Sequence, residues 1–259
     1  IAGPGFLNFK FNKKAWVLII NSILKSKSKY GSNKIKKKYN IEFVSANPTG
    51  PMHVGHCRGA VFGDVISNLL KFNGAKVTKE YYINDYGKQI ENFTKSVFLR
   101  MREIKFKENF PNDKDLYHGN YIIDIAKMLF KNSKKINLNK YEDSFDTIKN
   151  KSLDQSLKLI KSDLKLLGIK HDVFFSESNM IKKKYVDKII NVLKKNNHVT
   201  DGYLSPPKGE ETKTWKKTKR LIFKSSNFGD DSDRALQKND GSWTYFANDI
   251  GYHFTKVSK

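Results

Sequence analysis

Two histidines three residues apart carry the strongest chemical signal in this sequence. His53 and His56 follow residues 45–52, where two prolines and a glycine interrupt local structure. We predict a buried strand at 41–45 before this turn and a helix at 53–72 after it, because apolar residues recur there with helical spacing. The pattern therefore places two imidazoles at the start of a helix directly after a strand.

The start of a helix that follows a parallel strand is a common ligand-binding edge of α/β sheets. Its free backbone N–H groups and partial positive charge suit a phosphate. Imidazole N–H groups of His53 and His56 can stabilise charge that develops on a phosphate during displacement. Gly55 between them leaves room for a flat base against the backbone. We interpret this segment as a nucleotide site.

Two alternatives compete with a nucleotide site. Two histidines at this spacing can share a metal ion, but no Cys, His or Asp partner with ligand spacing follows nearby, and no metal is expected. Two unrelated surface histidines are the other alternative, and the strand–turn–helix context argues against it. Cys57 is interpreted as a small buried residue.

The wider pattern predicts an α/β fold built on a Rossmann-like parallel sheet with right-handed crossovers. Strands are expected at 41–45, 76–84 and 172–176. Helices are expected at 13–24, 53–72, 85–102, 122–130, 152–167 and 185–196. Residues 1–40 are interpreted as the end of an additional N-terminal domain with a Lys/Ser-rich linker, and residues 41–259 as a partial Rossmann-like domain. Short β segments and turns, including those at 201–202 and 240–241, predict an inserted α+β segment at about 170–240.

The composition is strongly basic, with 49 Lys and Arg against 26 Asp and Glu and a net charge of +23. This charge suits a nucleic-acid partner, but only five of the basic residues are Arg, and an AT-rich genome explains Lys excess equally well. No apolar run approaches the roughly 18 residues of a membrane span, so no membrane partner is expected. The single cysteine fits the reducing cytoplasm.

Three ordered blocks resemble one known family. The His-Val-Gly-His string at 53–56 resembles the ATP-binding signature of class I aminoacyl-tRNA synthetases, and its flanks at 46–51 and 58–60 are similar to the arginyl-specific version. Residues 81–89 and 240–253 agree with two further blocks of that family. The chain is identified as a central catalytic fragment of an arginyl-tRNA synthetase, cut at both ends.

The resemblance assigns roles to individual residues. It implies that His53, Gly55 and His56 bind ATP and that both histidines are catalytic. A guanidinium needs carboxylates placed for forked hydrogen bonds, and Glu42 and Asp249 match the family positions that supply them. Ser45 and Asn47 match positions that hold the α-amino end of arginine. Tyr245 is expected in the same pocket, where a strand at 244–245 gives way to a helix.

The resemblance also implies a reaction and its partners. Arginine attacks the α-phosphate of Mg-ATP to give arginyl-adenylate, and the arginyl group then passes to the terminal adenosine of its tRNA. We expect bound tRNA to be required for the first step, and a monomeric enzyme. The string at 256–259 is similar to the Lys-Met-Ser-Lys loop of the class, but it directly continues a predicted helix and is not interpreted as that loop. The fragment alone is expected to bind ATP or arginine weakly and to aminoacylate nothing.

Two other functions stay open from the sequence. Another nucleotidyltransferase of the same superfamily would share the histidine turn without needing Glu42, Tyr245 and Asp249 together. A basic RNA-binding module without catalysis would bind RNA in a salt-sensitive way that does not depend on His53 or His56.

Overall fold

The computed structural model describes residues 3–132, 136–204 and 218–257. Its helices are α1 (Lys13–Ser26), α2 (Val54–Phe72), α3 (Lys88–Phe106), α4 (Asn120–Asn132), α5 (Tyr141–Leu166), α6 (Glu177–Lys182), α7 (Tyr185–Lys195) and α8 (Tyr245–Val257). Its strands are β1 (Lys38–Glu42), β2 (Lys76–Ile83), β3 (Val173–Ser176), β4 (Val199–Gly202), β5 (Arg220–Phe223) and β6 (Arg234–Ala235). Single 3-10 turns lie at Lys27–Lys29 and Ser225–Phe228. In this part of the chain no helix is both long and apolar enough to cross a membrane.

A three-stranded parallel sheet in the order β1-β2-β3 confirms the predicted α/β fold. Helix α2 connects β1 to β2, and helices α3, α4 and α5 lie between β2 and β3. The core between this sheet and its helices contains Phe43, Tyr81, Ile160 and Leu164. All three strands point their carboxyl ends toward one edge, which is where the predicted site residues follow β1.

The first strand ends earlier than predicted. The expected strand at 41–45 is observed as β1, which starts at Lys38 and ends at Glu42. Val44 and Ser45 have φ angles of 69° and 43°, in the left-handed region that a β-branched residue rarely adopts. The chain therefore leaves the strand direction just where the candidate site begins, and such backbone strain is concentrated at functional sites.

Helix α5 is longer than the predicted helix at 152–167, because it starts at Tyr141. Two acidic residues, Glu142 and Asp143, lie in its first turn, where they favour a helix start. Its buried face begins with Ser144 and Ile148. Of these two residues only Ile148 is apolar, so hydrophobic periodicity does not reveal the first three turns of α5.

The region of the predicted insertion contains two kinds of structure. Strand β3 falls within 170–240 but pairs with β2 in the parallel sheet. Strands β4, β5 and β6 form a separate antiparallel sheet, whose core joins Val186 of α7, Leu221 of β5 and Tyr252 of α8. Residues 201–202, predicted as a turn, pair with β5 as the end of β4. The limits of the domains and of the insertion stay predictions.

Helix α2 packs on the sheet through small residues rather than through its apolar stripe. Its buried residues are Ala60, Gly63 and Ser67, whereas Val61 and Leu69, which keep the helical spacing, are about half exposed or more. A Cβ atom at Gly63 would lie 2.2 Å from Cγ of Phe43. The absence of a side chain at this position lets the helix approach the segment that leaves β1.

Replacing Gly63 by Ala is expected to destabilise the fold by about 1–3 kcal/mol, because the new methyl group overpacks against Phe43. Urea unfolding followed by circular dichroism measures the change. Gly59→Ala is the matched control in the same helix, since a Cβ atom there meets nothing within 4 Å; it should stabilise the helix by about 0.5–1 kcal/mol. Equal stability of the two variants would contradict the packing argument.

Candidate active site

Ser45 joins the end of β1 to β2 at the carboxyl edge of the sheet. Its hydroxyl donates to Oε1 of Glu42 at 2.9 Å and accepts the backbone N–H of Tyr82 at 3.0 Å. The left-handed backbone at Ser45 turns the side chain back toward both strands. Two predicted site residues, Glu42 and Ser45, are therefore in direct contact and fixed to the sheet.

The turn between β1 and α2 is held from several sides. The side-chain amide of Asn47 donates to Oε1 of Gln89 at the start of α3, at 2.6 Å. The hydroxyl of the buried Tyr81 donates to the carbonyl oxygen of Ala46 at 2.7 Å. Met52, just before the first histidine, donates its N–H to Oδ2 of Asp163 at 3.0 Å. Gln89 belongs to the block at 81–89 that resembles the family, and its contact with Asn47 braces the turn.

His53 and His56 lie at the N-terminus of α2 with their rings stacked, at a centroid distance of 3.6 Å and an interplanar angle of 20°. Nδ1 of His56 accepts the backbone N–H of His53 at 3.2 Å. That bond leaves Nε2 of His56 as the proton donor when the ring is neutral. His53 is exposed and His56 is half-buried, so both imidazoles line the surface and not the core.

Burial and the nearby charge of His53 lower the pKa of His56. His56 is therefore a neutral donor at pH 7, which is suited to a phosphate oxygen that gains negative charge. A Cβ atom at Gly55 would lie 3.0 Å from Cε1 of His53. The predicted open surface beside Gly55 is thus occupied by the His53 ring in this structure.

Helix α8 brings Asp249 to the same edge of the sheet. Desolvation raises the pKa of the Asp249 carboxyl, His253 opposes this effect, and the negative charge of Glu42 adds to it. Part of this raised pKa thus comes from repulsion between the two carboxylates that were predicted to bind a guanidinium, Glu42 and Asp249. A cation placed between them relieves this repulsion.

Tyr245 differs from its prediction in local structure. Residues 244–245, which are among the residues that the structure describes, do not form the expected strand. Tyr245 is instead the first residue of α8, one helical turn before Asp249. The helix starts here because Thr244 caps it, with Oγ1 accepting the N–H of Ala247 at 3.3 Å. The ring of Tyr245 is three-quarters exposed, with the ammonium group of Lys238 at 5.9 Å.

A polar cluster beneath Glu42 was missed by sequence reasoning. The buried Glu80 of β2 accepts hydrogen bonds from Asn40 at 2.9 Å and from the hydroxyl of Tyr252. The ammonium group of Lys256 lies 3.3 Å from Glu80 and 3.6 Å from Glu42. Burial raises the pKa of Glu80, but the hydrogen bonds from Tyr252 and Asn40 and the charge of Lys256 outweigh it and lower the pKa.

A second buried carboxyl was also missed. Glu177, the first residue of α6, accepts a hydrogen bond from the side-chain amide of Asn248 at 3.0 Å. Burial raises its pKa, and the charges of Asp85 and Asp249 act in the same direction. Asp85 accepts three hydrogen bonds from Ser176 and Ser178. These contacts tie the end of β2 to the start of α6 beside the candidate pocket.

Among residues 3–132, 136–204 and 218–257 there is no cluster of three or more His, Cys, Asp or Glu arranged to hold a metal ion. Cys57 is half-buried, and its thiol lies 3.7 Å from the carbonyl oxygen of His53.

A parallel sheet whose first strand leads through a His-x-Gly-His turn into a helix is the arrangement of class I aminoacyl-tRNA synthetases. The family described as "tRNA synthetases class I (R), catalytic domain" matches residues 19–258, and the chain belongs to this family.

Known proteins share this assignment over the whole chain. A Pelagibacter ubique (strain HTCC1062) protein named arginine–tRNA ligase is 53% identical over 261 residues, and one of the same name from Ehrlichia ruminantium (strain Welgevonden) is 49% identical over 263 residues. Each comparison covers 100% of this chain and 45% of the relative. A solved Campylobacter jejuni structure designated an arginyl-tRNA synthetase superposes with a TM-score of 0.78 at 32% identity, over 96% of this chain and 51% of that one. The chain therefore spans about half the length of the relatives that it matches.

Proposed function

We propose that this chain is the central catalytic part of an arginine–tRNA ligase. The protein activates L-arginine with ATP to arginyl-adenylate and transfers the arginyl group to the 3′-terminal adenosine of its tRNA. The observation that carries this proposal is the placement of Glu42, held by Ser45 at the sheet edge from which the turn to His53 and His56 departs, in an ion pair with Lys256 of α8, the helix that carries Asp249. An acidic pocket beside a phosphate-binding helix start suits a cationic amino acid and a nucleotide together.

In the activation step the arginine carboxylate attacks the α-phosphate in line, and pyrophosphate leaves. We assign the stabilisation of the phosphate charge to the N–H groups at the start of α2 and to Nε2 of His56, which is kept as a neutral donor by its Nδ1 bond. We also assign His53 and Gly55 to the ATP site; the His53 ring stacks on His56 and lies beside Gly55. Mg²⁺ enters with ATP, bound to its phosphates.

For arginine we assign the guanidinium to Glu42 and Asp249, and the α-amino end to Ser45 and Asn47. Ser45 orients Glu42 directly, and Gln89 orients Asn47. Tyr245 stands at the start of α8 with an exposed ring that is available to cover bound arginine. Charge-assisted, forked hydrogen bonds then distinguish arginine from amino acids that lack a planar cation.

We propose that both transfer to tRNA and activation require polypeptide beyond these residues. We also expect activation to depend on bound tRNA. The excess of 23 positive charges attracts an RNA partner. We place the protein in the cytoplasm as a monomer.

Arginine-dependent ATP–pyrophosphate exchange on the protein at its natural length tests this proposal. We expect exchange with arginine but not with lysine or glutamate, and only when the arginine tRNA is present. The 259 residues alone should bind ATP or arginine weakly and should not charge tRNA. Exchange driven by a different acid substrate would indicate another nucleotidyltransferase, and RNA binding without any exchange would indicate a non-catalytic module.

A further inference from the structure

We propose that Lys256 is a positioning residue of the arginine pocket, which holds Glu42 in place through an ion-pair cluster with Glu80. This inference rests on the proposed function, because it concerns how the carboxylate that receives the guanidinium is oriented. Lys256 lies on α8, far from β1 and β2 in sequence, and nothing in its local sequence indicates such a role.

The sheet register creates the need for a cation at this place. Glu42 of β1 and Glu80 of β2 are direct partners in the parallel ladder, so two carboxylates stand side by side on neighbouring strands. Like charges at such positions destabilise a sheet. The ammonium group of Lys256 lies within 4 Å of both, at 3.6 Å from Oε2 of Glu42 and 3.3 Å from Oε1 of Glu80. The single ammonium group of Lys256 therefore offsets the repulsion between the two carboxylates.

The ammonium group is itself held in a defined position. It lies 3.8 Å from the centroid of the Tyr252 ring, a cation–π contact. The hydroxyl of the same tyrosine donates to Glu80. Only 18% of the Lys256 side chain is exposed. Such a fixed and largely buried ammonium group differs from a surface lysine, whose ion pairs contribute little.

The spacing along α8 connects this cluster to the pocket. Asp249, Tyr252 and Lys256 are three and four residues apart, so they share one face of the helix. Lys256 on that face is ion-paired to Glu42, and the negative charge of Glu42 contributes to the raised pKa of Asp249 on the same face. Because Ser45 occupies Oε1 of Glu42 and Lys256 occupies Oε2, the carboxylate has a single fixed orientation.

Without Lys256 the two carboxylates would repel each other, and the less buried one, Glu42, would move. Its side chain is 33% exposed, against 7% for Glu80. Glu80 also keeps its bonds from Asn40 and Tyr252. We therefore infer that loss of the cation weakens arginine binding and leaves the ATP site, which belongs to the start of α2, unchanged.

The test uses the protein at its natural length, with tRNA present, in arginine-dependent ATP–pyrophosphate exchange. Lys256→Met is expected to raise the KM for arginine by about tenfold or more, with kcat and the KM for ATP within about threefold of the wild type. Lys256→Arg keeps the charge and should recover most of the arginine affinity. Lys195→Met is the matched control, since it removes an exposed lysine from the last turn of the neighbouring α7.

When the wild type is active, three outcomes would overturn the proposal. A Lys256→Met variant with a lower melting temperature but an unchanged KM for arginine would show a purely structural role. A lower KM would show that the ammonium competes with arginine for Glu42. Failure of Lys256→Arg to restore affinity would show that charge is not the determinant. If the wild type itself shows no arginine-dependent exchange, the proposed function fails and this inference fails with it.

Discussion

Replacing His56 by Ala is expected to lower the rate of arginyl-adenylate formation by about 10²–10³-fold, the typical effect of removing one preorganised donor to a developing negative charge. The donor is Nε2, because Nδ1 accepts the N–H of His53. The effect should fall mainly on kcat, since the charge at the α-phosphate grows in the transition state. Initial rates of arginine-dependent ATP–pyrophosphate exchange, with saturating tRNA, measure it.

His118→Ala provides the comparison for this variant. His118 lies in the loop before α4, with its ring against Phe110 and Nε2 at 2.8 Å from the carbonyl oxygen of Asp113. Removal of that imidazole should leave exchange unchanged. Activity of His56→Ala within about threefold of the wild type would remove His56 from the mechanism, because a preorganised donor contributes far more than that.

The turn and helix start that carry the candidate nucleotide site could be predicted from local sequence, because their determinants are local. Prolines and a glycine at 48–51 predict a turn, and the periodic apolar residues that follow predict a helix directly after it. The structure agrees, with α2 beginning at Val54. The strand end was misplaced by three residues because the left-handed backbone of Val44 and Ser45 contradicts the intrinsic preference of valine for strands.

The contacts that orient the pocket could not be predicted, because they join distant parts of the chain. The hydroxyl of Tyr252 donates to Glu80 across 172 residues, and the ion pairs of Lys256 with Glu80 and Glu42 span still larger separations. A helical period shows that Tyr252 and Lys256 share a face, but not which strand that face meets. Only the register between β1 and β2 places Glu42 beside Glu80.

Helix α2 shows a different limit of pattern analysis. Hydrophobic periodicity found the helix but would assign its apolar stripe to the core, whereas Ala60, Gly63 and Ser67 form the buried face. Close approach of a helix to a sheet needs small side chains, and these carry little weight in a hydrophobicity count. Phe43, packed against Gly63, supplies the volume instead.

Replacing Asp249 by Asn is expected to raise the KM for arginine by about 100-fold, because the guanidinium loses one ionised partner and meets an amide donor in its place. The KM for ATP should stay the same, since Asp249 lies on α8 and not at the start of α2. Asp154→Asn, which affects only exposed contacts with Lys158 and Gln155 on α5, is the control and should change neither constant.

The same variant has a distinctive pH dependence. Desolvation raises the pKa of Asp249; the charge of His253 opposes this effect and the charge of Glu42 adds to it. This carboxyl therefore gains its proton at a higher pH than an ordinary aspartate. Arginine binds the ionised form, and wild-type affinity should therefore fall as the pH decreases through this raised pKa. The Asn variant has no proton to gain at this position and should lose that part of the dependence. A decrease in arginine affinity of the same steepness and midpoint in both proteins would mean that another group titrates, and that Asp249 does not receive the guanidinium.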